Sequence, residues 1–153
     1  MDTSWLVGKT IKVVWTYATG PVHPAWVNEL TTPIATSSAF LELESGEFLQ
    51  VAPCEVQLEG ETYPSLGLEL ELRSRASARV TLPSGIAIDV LPLPDAAKAV
   101  PLDVVRVEES DPLGEGTVSQ FNVIGALGQA LTFRHIMSPM TLGILVAAPG
   151  PST

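Results

Sequence analysis

Between Ser65 and Leu72 the chain reads Ser-Leu-Gly-Leu-Glu-Leu-Glu-Leu. Leu66, Leu68, Leu70 and Leu72 fall on one parity; Gly67, Glu69 and Glu71 fall on the other. Successive side chains of an extended chain point to opposite faces, so strict alternation is the pattern of a half-buried β-strand. It gives one apolar face and one acidic face. No stretch of useful length carries the 3.6-residue period of an amphipathic helix.

The remaining segments repeat the theme. Ile11–Tyr17 reads as a strand with Ile11, Val13, Trp15 and Tyr17 on one face, and Ala25–Thr31, with Trp26, as a second. Ala39–Val51 reads as a hairpin around Ser45-Gly46, since Gly supplies the positive φ of a tight turn. A two-residue loop there sets Leu43 opposite Phe48, Glu44 opposite Glu47, Phe40 opposite Val51 and Glu42 opposite Leu49. Both faces then carry apolar residues and both should be covered. A short strand at Glu55–Leu58 is expected, then the opening strand, a turn over Arg73–Ser77, and a hairpin of Ala78–Leu82 with Ile86–Leu91. Pro92–Pro101 reads as a linker in which Asp95 could cap one helical turn. Four strands follow at Leu102–Val107, Thr117–Ile124, Gln129–Ile136 and Thr141–Ala147. The expected fold is all-β, an antiparallel sandwich or open barrel in a single compact domain over 1–153.

Ala39–Pro53 aligns without gaps on Ala78–Pro92, with identities at 39/78, 43/82, 45/84, 46/85, 51/90 and 53/92. Fainter echoes relate Ile11–Val14 to Leu102–Val105, Gly46–Leu49 to Gly128–Leu131, and Leu66–Leu70 to Leu142–Val146. The echoes suggest an internal duplication of strand–turn–strand units, with pseudo-repeats 9–73 and 78–147 and a Pro-rich connection at 92–101.

Charge narrows the function classes. The chain of 153 residues carries a net charge of −9. Phosphate backbones and anionic bilayers repel such a surface, which argues against nucleic-acid and membrane partners. From Val13 to Leu72 there is no Lys or Arg, while Glu29, Glu42, Glu44, Glu47, Glu55, Glu59, Glu61, Glu69 and Glu71 fall in the span. Unpaired glutamates are seldom buried, so this segment should present a negative field. Glu42, Glu44, Glu47, Glu69 and Glu71 are the expected partner-binding residues, and a basic protein is the expected partner. A bacterial toxin-neutralising immunity-type protein or an assembly subunit would present such a face.

Other chemistries find thinner support. Glu42/Glu44 and Glu69/Glu71 are carboxylate pairs on single strands, the raw material of a small hydrolase. Cys54 with a histidine would be a second route to hydrolysis. Trp5, Trp15 and Trp26 offer an aromatic patch for a small ligand. His135 continues the parity of Leu131 and Phe133, which marks a core-edge histidine with its hydrogen bonds satisfied. His23, Cys54 and His135 are too scattered for a metal site, and no cofactor motif is present. A lone cysteine and the lack of a basic-then-apolar start fit a cytoplasmic setting without a secretory signal.

Overall fold

The computed structural model of the chain describes residues 3–21, 34–75, 79–81, 85, 87–136 and 141–150. Among these residues eleven strands are formed: β1 (Thr10–Pro21), β2 (Ile34–Leu43), β3 (Phe48–Val56), β4 (Ser65–Arg73), β5 (Arg79–Thr81), β6 (Ala87–Asp89), β7 (Leu91–Pro92), β8 (Leu102–Ser110), β9 (Gln120–Gly125), β10 (Ala130–Ile136) and β11 (Thr141–Ala147). Two short 3-10 turns, Ser4–Leu6 and Pro94–Lys98, complete the described residues. None of their helices is long and apolar enough to cross a membrane. The expected Ala25–Thr31 strand lies outside the described residues.

Six strands close a ring. Its order is β2–β11–β10–β9–β8–β1, and β1 returns to β2. The fold is thus an all-β antiparallel barrel, closed rather than open, with β3 and β4 continuing outward from β2 and β5–β6 standing as a separate hairpin. Ring closure removes the edges of an open sheet wherever neighbouring strands pair; β1 and β8 pair only at Thr10–Asp103 and Ile11–Leu102. The interior is filled by side chains. Phe121 and Phe133 lie with ring centroids 6.2 Å apart, and Ile11, Leu41, Leu131 and Leu142 are fully buried beside them.

Several registers depart from simple alternation, each for a local reason. A bulge between Ile11 and Val13 inserts an extra residue in β1, and such an insertion reverses parity. Ile11 and Val14 therefore both enter the core, and Trp15 faces away from it into a second cluster with Phe40, Phe48 and Val90. The β2–β3 turn is one residue longer than expected. Leu43 N donates to Glu47 O at 2.8 Å and Gly46 N to Leu43 O at 2.9 Å, with Gly46 at φ +93°. This is the three-residue loop whose last residue is left-handed. It pairs Phe40 with Gln50, Leu41 with Leu49 and Glu42 with Phe48. Leu41, Leu43, Leu49 and Val51 thereby share the barrel face, while Phe40 and Phe48 share the outer one; both faces are covered.

β4 holds the opening strand almost residue for residue. Its first four residues, Ser65–Leu68, are buried on both faces; from Glu69 the cover thins, Leu70 is half-buried, and Leu72, expected on the apolar face, is 47% exposed. The cover on both faces comes from the segment 115–118 crossing the strand: Leu68 N donates to Val118 O at 2.8 Å. A Cβ on Gly67 would meet Thr117 Oγ1 at 3.0 Å and Val118 O at 3.2 Å. β3 runs on to Val56, so no separate strand forms at 55–58. The 92–101 stretch is packed rather than a linker. Leu93, Ala96 and Ala99 are buried in the core, and the turn is capped at Leu93 without help from Asp95.

The meanders β1–β4 and β8–β11 share their irregularities. The bulge of β1 against β2 recurs between Val104 and Arg106 of β8 against β9. The Gly46 turn recurs at Gly128 (φ +81°), where Gly125 N donates to Gln129 O and Gly128 N to Gly125 O. Glu44 N donates to Thr10 O, and Ala126 N to Asp103 O, both at 2.9 Å. Thr10 and Asp103 pair with each other where the meanders meet. Leu142 of β11 pairs with Thr36 of β2 as Leu68 of β4 bonds to Val118 ahead of β9.

Candidate functional site

The five glutamates fall on the outer side of β2–β4 and on its turn, in three different situations. Glu42 is held. Its Oε1 accepts Trp15 Nε1 at 2.9 Å, its Oε2 lies 3.4 Å from Lys12 Nζ, and its side chain is only 16% exposed. Glu71 is offset by Arg73, whose Nη2 lies 3.0 Å from Oε2, and Arg73 Nε also donates to Gln50 Oε1. Glu44, Glu47 and Glu69 are exposed. Among the described residues no cation lies within ion-pair distance of them. Glu47 accepts only from Ser45 Oγ, at 3.2 Å. Gln50 pairs with Glu71 and Ala52 with Glu69, so the two β4 carboxylates lie on the same outer ribbon as the turn that carries Glu44 and Glu47.

The cation-free span of the sequence is thus only partly cation-free in space. Lys12 and Arg73, its two flanks, fold back onto Glu42 and Glu71. Arg75 lies over Trp15 with Cζ 4.1 Å from the ring centroid, and 5.7 Å from that of Phe48. A guanidinium stacked on an aromatic face is a favourable arrangement. It also covers the face of Trp15 that a small ligand would need. Trp5 is elsewhere, 39% exposed beside β8, and Trp26 lies outside the described residues.

Cys54 lies on β3 opposite Gly67 and is half-buried. Burial pushes its thiol up, and the charge of Glu69 pushes it further in the same direction. The thiolate is the nucleophile, so both effects work against the Cys54 hydrolase expectation. His135 is 2% exposed, and its Nδ1 lies 2.9 Å from Gly67 O, which ties β10 to β4. It is the satisfied core-edge histidine expected; His23 lies outside the described residues. Among the described residues no group of three or more His, Cys, Asp or Glu could hold a metal ion.

One constellation escaped the reading of the sequence. Asp111 organises the turn between β8 and β9. Its Oδ2 accepts Gly116 N at 2.8 Å, and its Oδ1 accepts Glu115 N at 3.2 Å and Ser119 Oγ at 3.4 Å. Glu115 Oε1 in turn accepts Leu66 N at 2.8 Å, and Ser65 Oγ donates to Glu115 O. Only an Asp followed by Gly114 and Gly116 hinted at this local turn. The hydrogen bond from Gly116 N, with those from Glu115, Gly114 and Ser119, holds the Asp111 carboxyl below its ordinary value. A depressed folded-state value stabilises the protein above the unfolded value of about 3.9. That contribution fades as pH falls through the folded value. The denaturation midpoint of Asp111→Ala should therefore lie below that of the native chain at pH 7, and the gap should close on acidification to pH 2. A gap that keeps its pH 7 size at pH 2 would refute this role.

No family model, no curated protein and no solved structure matches this chain.

Proposed function

We propose that the protein is a non-catalytic, acidic interaction protein that docks a basic protein through the outer ribbon of β3 and β4. The reading rests on one observation: Glu44, Glu47 and Glu69 are exposed carboxylates with no cation beside them among the described residues, next to Glu42 and Glu71, which already have theirs. Net charge adds to it, since −9 steers cationic partners toward the surface. Docking charges belong to Glu44, Glu47 and Glu69; Glu42 and Glu71 frame the face. A cytoplasmic setting and an immunity-type or assembly role belong to the same proposal.

We also infer an origin by duplication of a four-stranded meander. The recurrence of bulge, turn and inter-meander bond in β1–β4 and β8–β11 supports it. The β5–β6 hairpin, in which Val80 pairs with Ile88 as Leu41 pairs with Leu49, lies outside both meanders and keeps only the register of the aligned segments 39–53 and 78–92.

A lysine 20-mer is a suitable basic probe. The native chain should bind it at 50 mM salt and lose most of that affinity at 300 mM. The triple variant Glu44→Gln, Glu47→Gln, Glu69→Gln should bind roughly tenfold more weakly, as three rim charges at about 0.5 kcal/mol each imply. Glu71→Gln should leave affinity within twofold. Equal binding by the triple variant, or binding indifferent to salt, removes the proposal.

A further inference from the structure

The first strands of the two meanders differ on the side away from their hairpin partner: β1 has a second neighbour there along its length, and β8, among the described residues, has one only at its start. β1 has β2 on one side. On the other it carries β8 at Thr10 and Ile11, and further along β7: Trp15 pairs with Pro92, Thr16 with Leu91, and Leu93 N donates to Val14 O at 2.8 Å. β8 has β9 on one side and β1 at Leu102 and Asp103 on the other. From Val105 to Ser110 that second edge has no strand among the described residues. Among the described residues, the hydrogen bonds of these six outside the β9 ladder are Ser119 N to Ser110 O and Thr3 Oγ1 to Glu109 Oε1.

The counterparts follow from the shared bulge. Val14 and Val107 are each the second residue after it, and Thr16 and Glu109 the fourth. Ser110 O accepts Ser119 N, so Ser110 is turned toward the β9 side. Backbone groups alternate along a strand, so Val107 and Glu109 turn their N–H and C=O to the open side. Burial tells the same story. Val14, sealed by β7, is 1% exposed and Thr16 3%, whereas Val107 is half-buried and Glu109 exposed. Along this edge, between the first 3-10 turn and β8, runs a groove of about 460 Å³ walled by Thr3, Ser4, Val7, Val105, Arg106, Val107 and Glu109. Thr3 Oγ1 donates to Glu109 Oε1 at 2.7 Å and fixes one wall. Val7 and Val105 are 48% and 53% exposed, an apolar lining open to solvent.

We propose that the open edge of β8 accepts an extended segment of a partner protein as an added antiparallel strand. The occupant's chemistry follows from β7, which fills the matching seat with Leu91-Pro92-Leu93. The residue beside Val107 is apolar, as Leu93 is beside Val14. The preceding residues arrive at Glu108 and Glu109; Arg106, 3.7 Å from Glu108, offsets only one of these carboxylates. The occupant is therefore basic at its N-terminal end. The bulge in β8 does not protect this edge from pairing, since the same bulge precedes the occupied edge of β1. Main-chain bonds supply the affinity and alternate side chains the selectivity, as in other strand-addition complexes. This site is separate from the Glu44–Glu47–Glu69 face.

A display library of the form Lys-Lys-apolar-x-apolar, selected on the full chain and counter-selected on Val107→Pro, tests the proposal. Proline removes the N–H on the open side and is tolerated on edges. Peptides should be enriched on the native chain alone and should slow amide exchange of Val107 and Glu109 at least tenfold. N-methylation of the apolar residue beside Val107 should weaken binding at least tenfold with the protein untouched, so the result does not depend on the variant folding. The Glu44, Glu47, Glu69 triple variant should bind these peptides as the native chain does. The proposal is overturned by a selection that enriches nothing over Val107→Pro, or by N-methylation without effect. Light scattering that shows a dimer the peptides cannot compete would assign the seat to a second copy and overturn it equally.

Discussion

Leu68→Glu unfolds the protein at room temperature. Leu68 is 5% exposed in the main core cluster, and its N–H is committed to Val118 O. The substitution removes an apolar side chain contributing about 2 kcal/mol and buries a carboxylate in an apolar core cluster, at a cost of several kcal/mol more. The total, about 4 kcal/mol or more, is comparable to the whole stability of an ordinary domain. Glu69→Lys, one residue along and exposed, should change stability by no more than about 0.5 kcal/mol. Urea denaturation of the two variants side by side checks the pair. A folded Leu68→Glu with a damaged Glu69→Lys would mean that the faces of β4 are reversed.

Gly125→Val is expected to cost about 3 kcal/mol. A Cβ at Gly125 would sit 2.8 Å from Leu102 Cγ and closer still to the Gln129 carboxamide. Gln129 cannot simply swing away. It is 2% exposed, its Oε1 accepts Leu127 N at 2.9 Å, and its Nε2 donates to Pro101 O at 3.4 Å. Moving it leaves buried polar groups unpaired in a turn that closes the β9–β10 hairpin. At this chain length the loss lowers the melting temperature by roughly ten degrees. Combining Gly125→Val with Gln129→Ala should recover part of the loss, because the second change removes the group struck by the first. Strictly additive losses would place the damage elsewhere.

Much of the fold was legible because alternation reports burial directly. β4 and β11 coincide with the strands expected at Ser65–Leu72 and Thr141–Ala147 to within a residue. The errors came where one extra residue changes parity. The bulge at Ile11–Val13 turned Trp15 outward, and the third loop residue at Glu44–Gly46 shifted the β2–β3 register by one. Neither leaves a mark on composition. The echoes between the two halves were visible but misaligned. Ile11 matches Leu102 by sequence and Val104 by position just before the bulge; Leu66 matches Leu142 by sequence, whereas Leu68 matches it in pairing. Hydrophobic alternation has a period of two, so slips of two residues are invisible to it. The acidic span was equally one-dimensional. Lys12, Arg73 and Arg75 lie outside or at its end, and only folding brings them onto Glu42, Glu71 and Trp15. The open edge of β8 had no signature at all, since an absent neighbour is a property of topology.

Ring closure also bears on how fast the chain can fold. Each meander forms from near neighbours, but the barrel exists only once Thr10 reaches Asp103 and Thr36 reaches Leu142. Such distant pairings put folding in the milliseconds-to-seconds regime of β-barrels. Until they form, two half-barrels expose long unsatisfied edges at which chains in a crowded solution can join one another. Yield on refolding should therefore fall with protein concentration well before native stability becomes limiting.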